Sequence, residues 1–369
     1  MTKPRAEGQP RAEAPPSAEG QPRAEARART PAGGRTLTGT RTALLIMVPA
    51  VLLYVSLFVG RFAVSPAEVA RILLAQVFPI THDWSESVGT IVLQIRLPRA
   101  IMAMCIGAGL SISGAAYQGM FRNPLVSTDI LGVTAASGFG AAVALLLSRD
   151  AAELQIIAFV FGLAGVALTY RLARVYHTTP VLMLVLSGIV VAAFFSALLS
   201  GTKYIADPES KLPAITYWLL GSLNAASIKG LATALPPMFV GSAGLLLLRW
   251  KLNVLAMGDE EARSLGLSTE WLKGAVIVCT TLITAAAVSV CGMVGWVGLV
   301  IPHVGRMLVG PDHRVLLPAT LSIGASYLLF IDDIARTATA GEIPLGILTA
   351  VVGAPFFGYL LRRTQGTWH

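Results

Sequence analysis

The sequence predicts an all-α fold: a polytopic membrane helical bundle of about ten transmembrane helices with both termini cytoplasmic. Two observations carry the class. Hydrophobic residues make up 54% of the 369 residues, charged residues only 13%, and mean hydropathy is +0.69. Soluble domains carry roughly a quarter charged residues, so this chain has too little charge to cover a water-exposed surface. The apolar residues are also gathered into charge-free runs near the ~20 residues that a helix needs to cross a ~30 Å hydrocarbon core.

In chain order, residues 1–41 come first, with eight Lys/Arg against four Glu and the nine-residue repeat AEGQPRAEA at 6–14 and 18–26. Without an apolar run able to fold or insert, this segment reads as a disordered basic tail. The first apolar run, 42–60, is 19 uncharged residues, longer than the 7–15-residue core of a signal peptide. It reads as a retained first helix. Further runs fall at 100–121, 130–148, 154–170, 178–202, 230–248, 315–331 and 343–361. The 274–305 run is 32 residues, too long for one helix, and Gly292, Gly295, Gly298 and Pro302 give it places to break into two. That makes ten spans in a 42–363 domain, followed by a short tail at 364–369. The piece 212–224 is too short to span and lies at the surface or re-enters.

An even count places both ends on one side. With the N-terminus inside, 19 Lys/Arg are cytoplasmic and nine are outside, in the direction of the positive-inside bias. The tail supplies most of that difference. Arg96, Arg99 and Arg336 fall at outer ends of helices, where snorkelling or a function must explain them. On the second span Ala103, Gly107, Ser111, Ala115 and Gly119 repeat every four residues, giving a face of small side chains that lets helices approach closely in lipid.

Several chemistries find no support. No segment matches G-x-x-x-x-G-K-[ST], so the chain offers no phosphate cradle, and Gly138 and Gly140 mark helix packing. His82, His177, His303, His313 and His369 are scattered, and Cys105, Cys279 and Cys291 sit in apolar runs without metal-ligand spacing. No metal ligand set and no catalytic grouping stands out. Asp332 and Asp333 end the ninth span, and Arg336 follows Asp332 at i+4, a pair one helix face can hold. No ladder of midplane acids or histidines suggests proton coupling, so any pumping must draw energy from another chain. One segment suits a partner: the charged loop 251–273, where Leu255, Ala262 and Leu265 form an apolar stripe beside Glu260, Glu261 and Arg263. It is either a short amphipathic docking helix or a solvated loop.

The motifs sharpen this. The sequence has QIRLPR at 94–99, GAAYQGMFRNPL at 114–125, DILGV at 129–133 and YWLLGS at 217–222. GDEEARSLG follows at 258–266, GLVIPHVGR at 298–306, DHR at 312–314, EIPLG at 342–346 and GAP at 353–355. In that order, from about Leu57 to Arg363, the chain resembles the ten-helix permease subunits of ATP-binding-cassette importers for iron-siderophores, haem and cobalamin. The resemblance implies that Gly258, Asp259, Glu260, Glu261, Ala262, Arg263, Leu265 and Gly266 form a coupling helix seated in a cytoplasmic ATPase subunit. It implies that Arg96, Arg99 and Arg336 receive acidic residues of a periplasmic or lipid-anchored substrate-binding protein. It implies that the helix from Val181 to Thr202 lines a central pathway, with Ser187, Ser196 and Ser200 as its polar positions. The implied assembly has two ATPase subunits, which bind ATP and magnesium themselves, and a second copy of this permease or a paralogous one. It sits in lipid, in the bacterial inner membrane, with no nucleic acid. This chain is then no enzyme and holds no cofactor. Ferric siderophore is the expected cargo, with haem or cobalamin in the same class as alternatives and an ion-coupled secondary transporter as an alternative of another class. Asp333, an additional acid beside Asp332, and the repeat-bearing tail lie outside the family pattern.

Overall fold

The computed structural model describes Thr2 and residues 39–79, 84–174, 178–339 and 341–364. Apart from Thr2, the expected tail up to residue 38 lies outside the described residues, as do His82, His177, His369 and residues 365–369.

Helix α1 (Gly39–Phe58) begins three residues before the apolar run at Thr42. The short α2 (Pro66–Ala75) opens with a capping box in which Ser65 and Glu68 satisfy each other's backbone N–H. α3 (Glu86–Thr90), a π-helical stretch (Ile91–Arg96) and α4 (Leu97–Met120) join into one 35-residue rod. At 1.5 Å per residue it is about 50 Å long and outreaches the hydrocarbon core. Then come α5 (Val133–Leu146), α6 (Ala151–Ala173), α7 (Val181–Ile205), α8 (Lys211–Leu219), α9 (Ile228–Leu255) and α10 (Asp259–Ser264). α11 (Thr269–Cys291), α12 (Val297–Val309), α13 (His313–Thr337) and α14 (Leu345–Thr364) complete the bundle, and no strand occurs among the described residues. The fold is all-α, as expected.

Each of the nine apolar runs coincides with a helix, and the 274–305 run with two, α11 and α12. Six described helices are long and apolar enough to cross a membrane, while α1, α5, α12 and α14 contribute shorter apolar stretches. Two are shorter than hydropathy suggests. α5 has 14 residues, about 21 Å, because the chain is still turning at Gly132, whose φ of 79° is left-handed. α12 has 13 residues, because the 274–305 run breaks over 292–296, at Gly292 and Gly295; Gly298 and Pro302 instead lie inside α12.

An interrupted helix leaves backbone groups without intrahelical partners, which lipid does not satisfy. Here three irregular segments stitch together. Ser222 N donates to Cys291 O at 2.8 Å, Leu345 N to Gly221 O at 2.9 Å and Gly346 N to Leu220 O at 3.1 Å. Gly292 has φ 73°, and a Cβ on it would come within 2.2 Å of Trp218 O, so both conformation and space require glycine. The short 212–224 piece forms α8 and its following turn, inside this arrangement, with Ile215 fully buried.

α4 is the central helix. Its small-residue face, Ala103 to Gly119, is buried throughout, against α13 on one side and α12 on the other. A Cβ on Gly107 would lie 2.2 Å from Gly324 O of α13, and one on Gly114 would lie 1.8 Å from Gly298 O of α12. Such approach replaces the hydrophobic drive that lipid does not supply. α4 and α13 run antiparallel, so the bundle has two ends. Arg99 meets Asp332 at one, and Gly119 meets His313 at the other, where α10 also lies.

Candidate functional site

The three expected docking arginines cluster at the Arg99 end, but none is displayed. Arg96, Arg99 and Arg336 are 5%, 8% and 8% exposed. Arg99 projects from the first turn of α4, binds Asp332 with two nitrogens, and spends its remaining donors on Glu342, at 2.8 and 2.9 Å, and Asn224, at 3.2 Å. It therefore ties α4 to α13 and to the segments entering α9 and α14. Arg336 donates to Asp333, to Ser56 Oγ at 2.7 Å and to the Ser56 carbonyl on α1. Arg96 donates to the carbonyls of Leu57, at 2.9 Å, and Phe62. Three guanidiniums face Asp332, Asp333 and Glu342, so formal charge cancels inside the cluster. Buried charges persist only when paired and hydrogen-bonded, which explains why the positives are held inward.

The local pair expected from spacing is also revised. Asp332 and Arg336 approach only to 4.0 Å; Arg336 pairs more closely with Asp333 at i+3, and Asp332 belongs to Arg99. Asp333, the acid outside the family pattern, is thus what occupies Arg336.

At the opposite end, the 251–273 loop is mostly helical: α9 runs to Leu255, α10 is a six-residue helix, and α11 starts at Thr269. Gly258 precedes α10 with φ 145°, a backbone state that favours glycine. Glu260, Glu261, Arg263, Leu265 and Gly266 are exposed, whereas Ala262 is fully buried. Leu255 and Ala262 face inward as expected, but Leu265, 61% exposed, does not join their stripe. Six residues make fewer than two turns, and Leu265 follows the last of them.

What fixes this loop is a residue that no sequence motif marks. Lys273, on the second turn of α11, is fully buried. Its ammonium pairs with Asp259 at the start of α10, donates to Thr179 O at 3.3 Å and lies 3.9 Å from Glu270. Glu270 in turn accepts from the Thr179 backbone N–H at 2.9 Å and from its hydroxyl. One cation thereby joins α10, α11 and the segment entering α7. The DHR motif has a similar structural basis. Asp312 caps α13, accepting from Arg314 N at 2.9 Å, and Asn253 of α9 clamps it at 2.6 Å. The Arg314 guanidinium hydrogen-bonded to it holds the Asp312 carboxyl down at about 2.

The three serines of α7 do not share a face. Ser187 is buried toward the bundle, while Ser196 and Ser200 are on the exposed side. The nine residues from 187 to 196 turn a helix by about 900°, half a turn past two full ones, so the separation follows from helical geometry. The exposed face also carries Leu182, Leu186, Ile189, Val190 and Phe194.

Comparison with known proteins gives this geometry a context. The FecCD transport family matches residues 46–363. The chain is 40% identical to the molybdate import system permease protein MolB of Haemophilus influenzae, over 87% of this chain and 94% of that one. It is 42% identical to a protein of Helicobacter pylori named as an iron chelatin transport system permease, over 76% of this chain and 85% of that one. Further relatives are named for cobalamin and hemin. A solved structure described as a metal-chelate type ABC transporter in an inward-facing conformation superposes with a TM-score of 0.78 at 38% identity, covering 86% of this chain and 97% of its own.

Proposed function

The chain belongs to the FecCD transport family, and from that premise we propose that it carries an iron chelate, a ferric siderophore, across the bacterial inner membrane. Membership makes it the permease subunit of an ATP-binding-cassette importer, a multi-pass membrane protein and not an enzyme, which removes the ion-coupled alternative. Family membership implies an ATPase, a binding protein and dimerisation.

In the proposed assembly, two ATPase subunits hold ATP and magnesium and grip the exposed side chains of 258–266 from the cytoplasm. Lys273 makes that segment stiff enough to pass their motion to α11 and α7. A periplasmic or lipid-anchored binding protein docks at the Arg99 end. There the arginines act as a buried frame, and Glu342, the most exposed acid of the cluster at 21%, is the partner that an incoming carboxylate displaces. A second copy, or a paralogous permease, closes the pathway against the exposed face of α7.

The observation that supports the cargo is the chemistry of that face: no charged residue occurs from Leu182 to Ser200. An apolar wall with mild hydroxyls suits a large chelate whose ligand envelops the metal charge. A bare oxyanion calls for cationic or N–H donors along its path. Molybdate is nonetheless the second reading, favoured by the likeness to MolB; haem and cobalamin remain within the class. The test is equilibrium binding of ferric siderophores, hemin, cobalamin and molybdate by the partner binding protein, followed by uptake into vesicles holding the whole importer. Tightest binding and ATP-dependent uptake of a ferric siderophore is expected. Preference for any of the other three overturns the cargo assignment.

A further inference from the structure

At the α10 end a cleft of about 580 Å³ opens between the turn after α4, the end of α9, and the α12–α13 junction. Its polar walls include Arg122, Asn123, Asn253, Arg306 and Asp312. Two of these are guanidiniums, and neither has an ion-pair partner among the described residues. Arg306 donates to the side-chain oxygen of Gln118, and the Gln118 amide nitrogen is itself fixed, donating to Val126 O at 3.1 Å and toward the carbonyls of Gly298 and Leu299. The remaining Arg306 donors have no protein acceptor among the described residues. Arg122 follows α4 with φ 52°, a left-handed conformation that bulky residues avoid. One of its terminal nitrogens comes within 3.4 Å of where a Cβ on Gly258 would lie, at the entrance to α10, a point that Glu261 Oε2 approaches more closely without forming an ion pair with Arg122. Asp312, the carboxylate on the cleft wall, is already taken by Arg314 and Asn253. His313 also lines the cleft, and its Nε2 is buried without a hydrogen-bond partner among the described residues.

A cleft with two guanidiniums that have no ion-pair partner among the described residues, and with its one lining carboxylate engaged, is a well for an anion, and a planar guanidinium matches oxygens on phosphorus in a two-point fork. The depth of the cleft adds a second argument. One to two turns earlier on α9 lie Arg249, the exposed Trp250 and Lys251, whose ammonium sits 5.1 Å over the ring of Trp271. Indole rings and cations gather at the level of lipid headgroups, and Asn253, Ala256 and Met257 of the cleft lie just beyond them.

We propose that this cleft binds a phosphate-class oxyanion through Arg122 and Arg306, the phosphate coming from an acidic lipid headgroup or from free solution. The cleft is much larger than one phosphate, which suits a headgroup that carries more than its phosphorus. Through Arg122 the bound anion touches the entrance to α10, so occupancy braces the segment at 258–266. The site stands on its own geometry and is independent of which cargo the importer carries.

Native mass spectrometry of the full-length chain, with phosphatidylglycerol and phosphatidylcholine of identical acyl chains, tests the lipid source. Thermal melting in sodium phosphate against sodium chloride at matched ionic strength tests the free one. The wild-type chain should retain phosphatidylglycerol about tenfold better than phosphatidylcholine, or be stabilised by phosphate over chloride. Either result supports the site and tells which source fills it. R122Q/R306Q should erase the preference, and R122Q alone, at an exposed side chain with no ion-pair partner among the described residues, should reduce it several-fold. R149Q, at the opposite end of the bundle, should leave it unchanged. No preference in either arm, a preference that survives R122Q/R306Q, or equal loss in R149Q overturns the proposal.

Discussion

Arg99 of α4 holds Asp332 of α13 through two hydrogen bonds, Nε to Oδ2 at 3.0 Å and Nη2 to Oδ1 at 2.8 Å, across 233 residues of sequence. Asp332 is 1% exposed, so its charge has little access to water and depends on that fork. Removing one member of a buried pair strands the other, at a cost of about 3–5 kcal/mol, whereas removing both is far milder. R99M should therefore melt well below the wild-type chain, and R99M/D332N should recover most of the loss, because Glu342 is free to turn toward water. Equal melting of R99M and wild type would show that the pair contributes nothing to the bundle.

Lys273 sets the second expectation. Its buried ammonium touches α10, α11 and the segment before α7 together. K273M keeps the length of the side chain and removes the charge, leaving Asp259 without an ion-pair partner among the described residues. Hydrogen exchange across 258–266 should speed up by about tenfold, reporting local opening of that segment. In the assembled importer, ATP hydrolysis should continue while cargo moved per ATP falls several-fold. Unchanged exchange would remove the anchoring role, whereas faster exchange with intact coupling would remove only the coupling role of the segment.

The crossing of α4 and α12 is tighter than any side chain permits. G114A places a methyl 1.8 Å from Gly298 O, so backbone must shift. Overpacking of this kind costs about 1–3 kcal/mol. A Cβ added to Gly358 of α14 would meet nothing within 4 Å, and G358A should be neutral or slightly stabilising, since alanine is the better helix former. Comparable melting of the two variants would mean that close approach is not what fixes the crossing.

The sequence exposes some of this readily. Lipid demands long apolar runs, so all ten segments that become apolar helices stand out by composition, and the four-residue spacing of Ala103, Gly107, Ser111, Ala115 and Gly119 marks the packed face of α4. The shortening of α5 and α12 does not stand out, because hydropathy is blind to backbone turns such as those at Gly132 and from Gly292 to Trp296. Nor do the partners of Arg99, which are brought together only by tertiary packing; the EIPLG motif draws attention to Glu342 without saying what it binds. Lys273 looks like an ordinary loop cation beside the first apolar residues of α11, and its burial is visible only once α7 and α10 are placed around it.

Helical arithmetic separates the α7 serines, and it yields the sharpest test of the pathway. A lining residue in a working importer faces water during transport; a residue on a lipid-facing or packed surface does not. S196C and S200C should react with a small charged methanethiosulfonate at least about tenfold faster than S187C, since thiol chemistry requires an accessible thiolate. ATP and loaded binding protein should change the rates at positions 196 and 200 as access alternates between the two sides. Ser187 is buried against the bundle, and its cysteine variant should stay silent throughout. If positions 196 and 200 are equally silent, the exposed face of α7 meets lipid, and the pathway must be sought on another helix.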